Sequence, residues 1–184
     1  MTNILFVVPC LQALEEWSGD LSIAKQTYHF EFKTTIKAEK KETLSILNNH
    51  NELHRINSNV VHSEGLKNTE GNRPQRIVRV KRSLLGYCFR LLFHEEIHEK
   101  LSSITAKIIP GKSSFLAGEI VWEVVEKREG YCEISVHGFH TPNFWIPPFI
   151  GEFILKQVFL HEMRETASRL EKLATTRSRE SESL

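Results

Sequence analysis

Between Thr27 and Lys37 the chain alternates: Tyr28, Phe30, Phe32, Thr34 and Ile36 share one face, and His29, Glu31, Lys33 and Lys37 share the other. A period of two built from aromatic and β-branched residues predicts a strand with one face buried. The period changes over Lys40–Ile56, where Leu44, Leu47, Leu53 and Ile56 recur at helical spacing. Asn48-Asn49 interrupts that run, which therefore predicts two short helices in place of one long one. Six further strands are predicted in series: Val60–Leu66, Arg76–Leu84, Tyr87–Glu99, Ser102–Ile109, Phe115–Glu126 and Tyr131–His140. Most of the later connections, such as Pro110-Gly111 and Lys127–Gly130, are short. Short turns join antiparallel neighbours, because parallel strands need long crossovers.

The last segment reads differently. Pro147-Pro148 suits a helix start, and Leu155, Phe159, Met163, Ala167, Leu170 and Leu173-Ala174 then recur at three- and four-residue spacing. A helix from Pro148 to Ala174 would run roughly 40 Å. So continuous an apolar stripe must lie on something apolar, and the concave face of the sheet is the available partner. The order is strand, two short helices, six strands, long helix: an α+β architecture with a seven-stranded antiparallel sheet and no internal repeat. The polar residues 175–184 are expected to form a disordered tail.

Composition narrows the function. A chain of 184 residues, 40% hydrophobic and 26% charged, suits one domain with its own core. A net charge of +1 provides no field that would draw nucleic acid. Cys10, Cys88 and Cys132 fall in no metal-ligand spacing, which leaves either a Cys88–Cys132 bridge or two free buried thiols. Ile4–Leu11 is apolar and is followed by Gln12-Ala13. Residues 1–20 therefore read as the remnant of a secretory leader on an exported or periplasmic protein, or as an ordinary buried segment of a cytoplasmic one. Eight apolar residues are too few to span a bilayer.

Three stretches carry a family likeness: Ile108-Ile109-Pro110 followed by Ser114-Phe115, Gly118 and Trp122; Pro142–Gly151 (PNFWIPPFIG); and Glu171-Lys172-Leu173-Ala174. With the element order, they resemble the START-like or polyketide cyclase/dehydrase superfamily, which includes the coenzyme Q-binding proteins. The likeness is nearest to its uncharacterised bacterial members and covers Leu21 to Ala174. It implies a helix-grip fold, a curved sheet wrapped around the C-terminal helix, with an apolar cavity between them for a lipid, a quinone or a polyketide-like molecule. Lys112-Ser113 departs from the more acidic hairpin of that branch. Fold alone does not fix function.

Several constellations compete with simple binding. His94-Glu95-Glu96-Ile97-His98 is a literal H-E-x-x-H. On a helix the two histidines would lie about one turn apart and could hold zinc, with Glu95 as general base. On a strand they would be roughly 13 Å apart, with Glu95 on the opposite face. His137 and His140 flank Gly138-Phe139 and read as a polar strand edge or as acid–base groups of a cyclase. The basic residues of Arg76–Arg82 read as a solvated strand face. Phe144–Ile150 reads either as a plug on the core or as a portal for a lipid-like ligand in transient contact with a membrane surface.

The sequence reading is therefore a non-enzymatic binder or carrier of a small hydrophobic ligand, with no cofactor, no metal and no nucleic acid. Its alternatives are a cyclase/dehydrase-like enzyme in the same cavity and a zinc hydrolase at His94 and His98. The expected lining is Phe30, Phe32, Val78, Val80, Phe89, Leu91, Phe93, Ile104, Ala106, Ile120, Trp122, Ile134 and Val136 from the strands. Phe144 and Trp145 from the apolar loop and Phe153, Leu155, Phe159 and Met163 from the helix complete it.

Overall fold

The computed structural model describes residues 16–66, 73–84, 86–146 and 151–182. In chain order these form β1 (Trp17–Ala24), β2 (Thr27–Ile36), α1 (Lys40–Leu47), a 3-10 turn (Leu53–Arg55) and β3 (Val60–Leu66). There follow β4 (Gln75–Leu84), β5 (Tyr87–Glu99), β6 (Ser103–Ile108), β7 (Phe115–Arg128), β8 (Tyr131–Pro142) and α2 (Glu152–Glu182). All eight strands belong to one sheet of order β1-β2-β8-β7-β6-β5-β4-β3, antiparallel throughout. α1 and the 3-10 turn carry the chain from β2 to the far edge, and a meander from β3 to β8 brings it back to pair with β2.

The sheet has one strand more than its periodicity predicts. β1 (WSGDLSIA) carries Gly19 and Asp20, which weaken the strand signal, and its turn lacks the usual residues. Lys25 and Gln26 adopt positive φ of 47° and 66°, the conformation that Asn-Gly normally marks in a two-residue hairpin. Gly19 has a packing role of its own: a Cβ there would lie 2.6 Å from Leu160 Cδ2, so its absence lets α2 cross β1.

Leu160, Met163, Ala167, Leu170 and Ala174 form the buried stripe of α2. The helix continues past Ala174 to Glu182, through residues expected to be a tail. Thr175 Oγ1 anchors the start of this extension by donating to the Lys37 carbonyl at 3.1 Å, and one turn earlier Glu171 accepts from the Lys37 N–H at 3.2 Å. The helix start expected at Pro148 and residues 1–15, Cys10 among them, lie outside the described residues, whereas Trp17–Asp20, expected to belong to the N-terminal segment, open β1 and pair with β2. Cys88 is exposed and Cys132 buried, both free, which corrects the expectation of two buried thiols.

One half of the concave face is solid. Ile36, Val124, Cys132, Ile134 and Val136 are fully buried in one cluster with Leu170 of α2, and Thr43 of α1 lies against Cys132. Each large apolar side chain so buried contributes about 1.5–3 kcal/mol. The other half, under the N-terminal part of α2, is where the site forms.

Candidate functional site

A cavity of about 360 Å³ lies between that half of the sheet and α2. The volume falls within the range typical of small-molecule sites. Phe30, Val78, Val80, Leu91, Phe93, Ile104, Ile120, Trp122, Phe144, Leu155, Phe159 and Met163 line it, all among the residues expected to do so.

Seven expected residues lie elsewhere. Phe32, Ala106, Ile134 and Val136 point to the same side of the sheet but are packed into the solid core. Phe89 sits at the rim, its ring 6.4 Å from that of Phe144. Trp145 and Phe153 are on the outside, 71% and 74% exposed. Leu47, Leu53, Ile56 and Val60 join the lining from α1, the 3-10 turn and the start of β3, which the strand pattern alone could not place.

The polar groups of the cavity follow from strand register. Tyr28 pairs with His140, His140 with Gly118, Ile108 with Glu95, and Glu95 with Arg76. Because Lys107 pairs with Glu119, Ile108 lies opposite Gly118, so these residues form one line across the sheet. Tyr28, His140, Glu95 and Arg76 all line the cavity. The neighbouring line, Leu21, Phe30, Gly138, Ile120, Ala106 and Ile97, is entirely apolar.

Arg76 Nε donates to Glu95 Oε2 at 2.7 Å, with side chains only 10% and 3% exposed. Together the two are neutral, and the pairing offsets the large penalty for burying either charge alone. The His140 ring packs against Phe30, Phe93 and Phe115, at centroid distances of 5.3, 5.6 and 4.9 Å. Its Nε2 is buried without a hydrogen-bond partner among the described residues. Burial pushes its pKa down to about 4, against the opposing pull of the Glu95 carboxylate, so the ring is neutral at pH 7. Burial likewise raises the Tyr28 phenol.

A second polar group ties α2 to the sheet beside the cavity. Glu162 is ion-paired with Arg82 and accepts from Asn57 Nδ2 at 3.0 Å and Asn59 Nδ2 at 3.1 Å. Arg82, Asn57 and Glu162 all line the cavity.

Arg76, Arg82 and Glu95 were open to discovery from parity. Arg76 and Arg82 share the face of Val78 and Val80, so they point inward and do not belong to a solvated face. Glu95 shares the face of Phe93 and Ile97. His140 takes the inward side of β8, while His137 is exposed.

The H-E-x-x-H segment lies wholly within β5, so His94 and His98 are roughly 13 Å apart and cannot share one zinc ion. His94 Nε2 meets Gln75 Oε1 at 2.9 Å, His98 pairs with Glu96 at 2.8 Å, and Glu95 turns to the other face. The zinc hydrolase reading is set aside because it needs a helix.

No protein-family model matches the chain, and no curated protein is significantly similar to it in sequence. Solved structures do match. A START superfamily protein from Mycobacterium smegmatis is 14% identical with a TM-score of 0.61, over 79% of this chain and 96% of its own. A STAR-related lipid transfer protein from Xanthomonas axonopodis is 16% identical with a TM-score of 0.59, over 84% of this chain and 98% of its own. The Zhui aromatase/cyclase from Streptomyces sp. R1128 is 12% identical with a TM-score of 0.57, over 80% of this chain and 93% of its own. The fold is START-like. The expectation that the chain is not an enzyme does not hold, because aromatase/cyclases share the fold and catalysis is as compatible with it as carriage.

Proposed function

We propose that this START-like helix-grip fold takes up a small, mainly apolar molecule in the cavity between its sheet and α2. The supporting observation is the cavity itself: about 360 Å³, with Phe30, Val78, Phe93, Ile120, Trp122 and Phe159 among its walls. Protein interiors are otherwise close-packed, and unfilled volume lowers stability. A hollow of this size is therefore what a ligand-admitting protein retains. Lipid, quinone or polyketide-like molecules fit the chemistry of the walls. Trp145 is exposed between Phe144 and Ile146 of the wall, and Phe153 is exposed two residues before the lining residue Leu155, features suited to transient contact with a membrane surface as the ligand passes.

A second reading has support from one observation, the line of Tyr28, His140, Glu95 and Arg76 inside the apolar walls. Titratable groups held in a dry pocket suit a cyclase/dehydrase-like reaction on the bound molecule.

Native mass spectrometry of protein purified without detergent tests uptake. A discrete co-purified small molecule, or stoichiometric loading by an added apolar one, is the expected result. Protein that never carries any apolar molecule would end the proposal. Comparing the mass of the released molecule with that supplied distinguishes carriage from reaction.

A further inference from the structure

The connection between β2 and β3 supplies one wall of the cavity. Leu47 at the end of α1, Leu53 in the 3-10 turn and Ile56 just after it are all buried and all line the hollow. Residues 47–56 therefore roof that side, and lifting them would open the cavity to water. Polar ties dock them on the sheet. Leu53 N–H donates to Ser63 Oγ at 3.1 Å, and Asn51 Oδ1 accepts from Gly65 N–H at 2.9 Å, both on the edge strand β3. His50 makes the tie to β5, its Nε2 lying 3.0 Å from Glu99 Oε1.

His50 is closely seated. Its side chain is 12% exposed, and a Cβ on Gly65 of β3 would lie 3.4 Å from His50 Cβ. To meet a carboxylate, Nε2 must carry a hydrogen, which leaves Nδ1 as the bare nitrogen of a neutral ring. That nitrogen is buried, and no described residue donates to it. A proton added there would be a charge with neither water nor partner. The charged groups facing the ring oppose one another. Glu99 and Glu95 of β5 favour an imidazolium and Arg76 of β4 disfavours it, while Arg76 and Glu95 are matched to each other as an ion pair. Within the segment, Glu52 is already bound by Asn49 and Arg55. Burial, with Arg76 adding to it, outweighs the pull of Glu99 and holds the ring below its ordinary pKa of 6.5.

We propose that His50 pins residues 47–56 over the cavity and that its protonation releases them, opening an acid-sensitive side entrance for the apolar ligand. This rests on the uptake reading above and adds a control on the same cavity. Raised off the sheet, the imidazole regains water and titrates at an ordinary 6.5. Below that pH the open form takes up a proton that the docked form refuses. Acid therefore draws the segment open until the docked ring titrates as well. A glutamine would make the same bond to Glu99 at every pH, so the histidine brings the acid response and not the tie alone.

Amide hydrogen exchange of the full chain, corrected for intrinsic rates, reads the docking through Leu53 and Gly65, whose N–H groups bond across the seam. Their protection should fall by about threefold to about twenty-five-fold between pH 7 and pH 5. The upper figure is the limit for a group that titrates at about 6.5 in the open form alone. Nile red held in the cavity should leave faster by a similar factor. His50→Gln should flatten both responses, whereas any that arise from His94 or His140 would survive it. Should that variant fail to fold, Glu99→Gln keeps an acceptor, removes the charge that favours the imidazolium, and must steepen the fall. Protection that is the same at both pH values in the wild type, or that falls equally in His50→Gln, would overturn the pin. Faster exchange with an unchanged Nile red release would overturn the entrance and leave uptake standing. If Nile red never binds, uptake itself falls, and the entrance with it.

Discussion

Gly118 of β7 and His140 of β8 are direct cross-strand partners, and a Cβ on Gly118 would fall well inside van der Waals contact of His140 Cδ2. Phe30, Phe93 and Phe115 enclose the ring, so it has little room to retreat. Gly118→Ala should therefore destabilise the fold by about 1–3 kcal/mol, the usual penalty for overpacking. Adding His140→Ala to Gly118→Ala should recover part of the loss. Urea denaturation of the single and double variants measures both, and a harmless Gly118→Ala would refute this close packing.

The Arg76–Glu95 pair should be more sensitive to losing one partner than both. Either Arg76→Met or Glu95→Leu strands a buried charge and should cost about 3 kcal/mol. The double variant should fall well short of the sum of the two, because no charge is left unpaired. A double-variant cycle in denaturant reads the coupling directly, and strict additivity would mean that the two charges do not depend on each other.

Stability should depend on pH through His140. The pKa of this group is depressed, from an ordinary 6.5 to about 4. Below pH 6.5 the unfolded chain therefore takes up a proton that the folded protein refuses, and stability falls with pH until about 4. The full effect is at most about 3 kcal/mol. His50 and His94 are shifted the same way by burial and add to the slope. Unfolding midpoints at pH 7 and 5 should differ clearly in the wild type and less in His140→Phe. An equal difference in both would remove His140 from the account.

Phe159 lines the cavity and also packs on Phe30, with ring centroids 5.3 Å apart. A solidly packed phenylalanine costs about 3–5 kcal/mol when cut to alanine. A cavity wall has fewer neighbours to lose, so Phe159→Ala should cost less, about 2 kcal/mol, and change the affinity for an apolar dye such as Nile red by more than its stability implies. Severe destabilisation with no dye binding to either protein would mean the interior is closed.

The ion pair between Arg82 and Glu162 spans β4 and α2 beside the cavity, and Asn57 and Asn59 bind the same carboxylate. Glu162→Gln should loosen this tie with a small effect on stability, under about 1 kcal/mol for a partly exposed pair. Nile red should then leave severalfold faster in stopped-flow experiments. An unchanged rate would place the exit elsewhere.

Alternation along β2, β4, β5, β7 and β8 and the stripe on α2 were legible because each is a local repeat that sequence displays directly. The start and end of β3 and β5 were read to the residue for that reason. The same parity puts Arg76, Arg82 and Glu95 on the inner face, with Val78, Val80, Phe93 and Ile97. β1 was not legible, because its signal is diluted by Gly19 and Asp20 and its Lys25-Gln26 turn has no turn-forming residue.

What only the tertiary structure decided is which inward residues meet a cavity and which meet packed side chains. Phe30 and Phe32 are two residues apart on one face of β2, yet Phe30 lines the cavity and Phe32 is core. Nothing local distinguishes them, because filling depends on where α1 and α2 close on the sheet. The line of Tyr28, His140, Gly118, Ile108, Glu95 and Arg76 likewise joins residues from strands distant in sequence. Strand register assembles it, and register exists only once the whole sheet has formed.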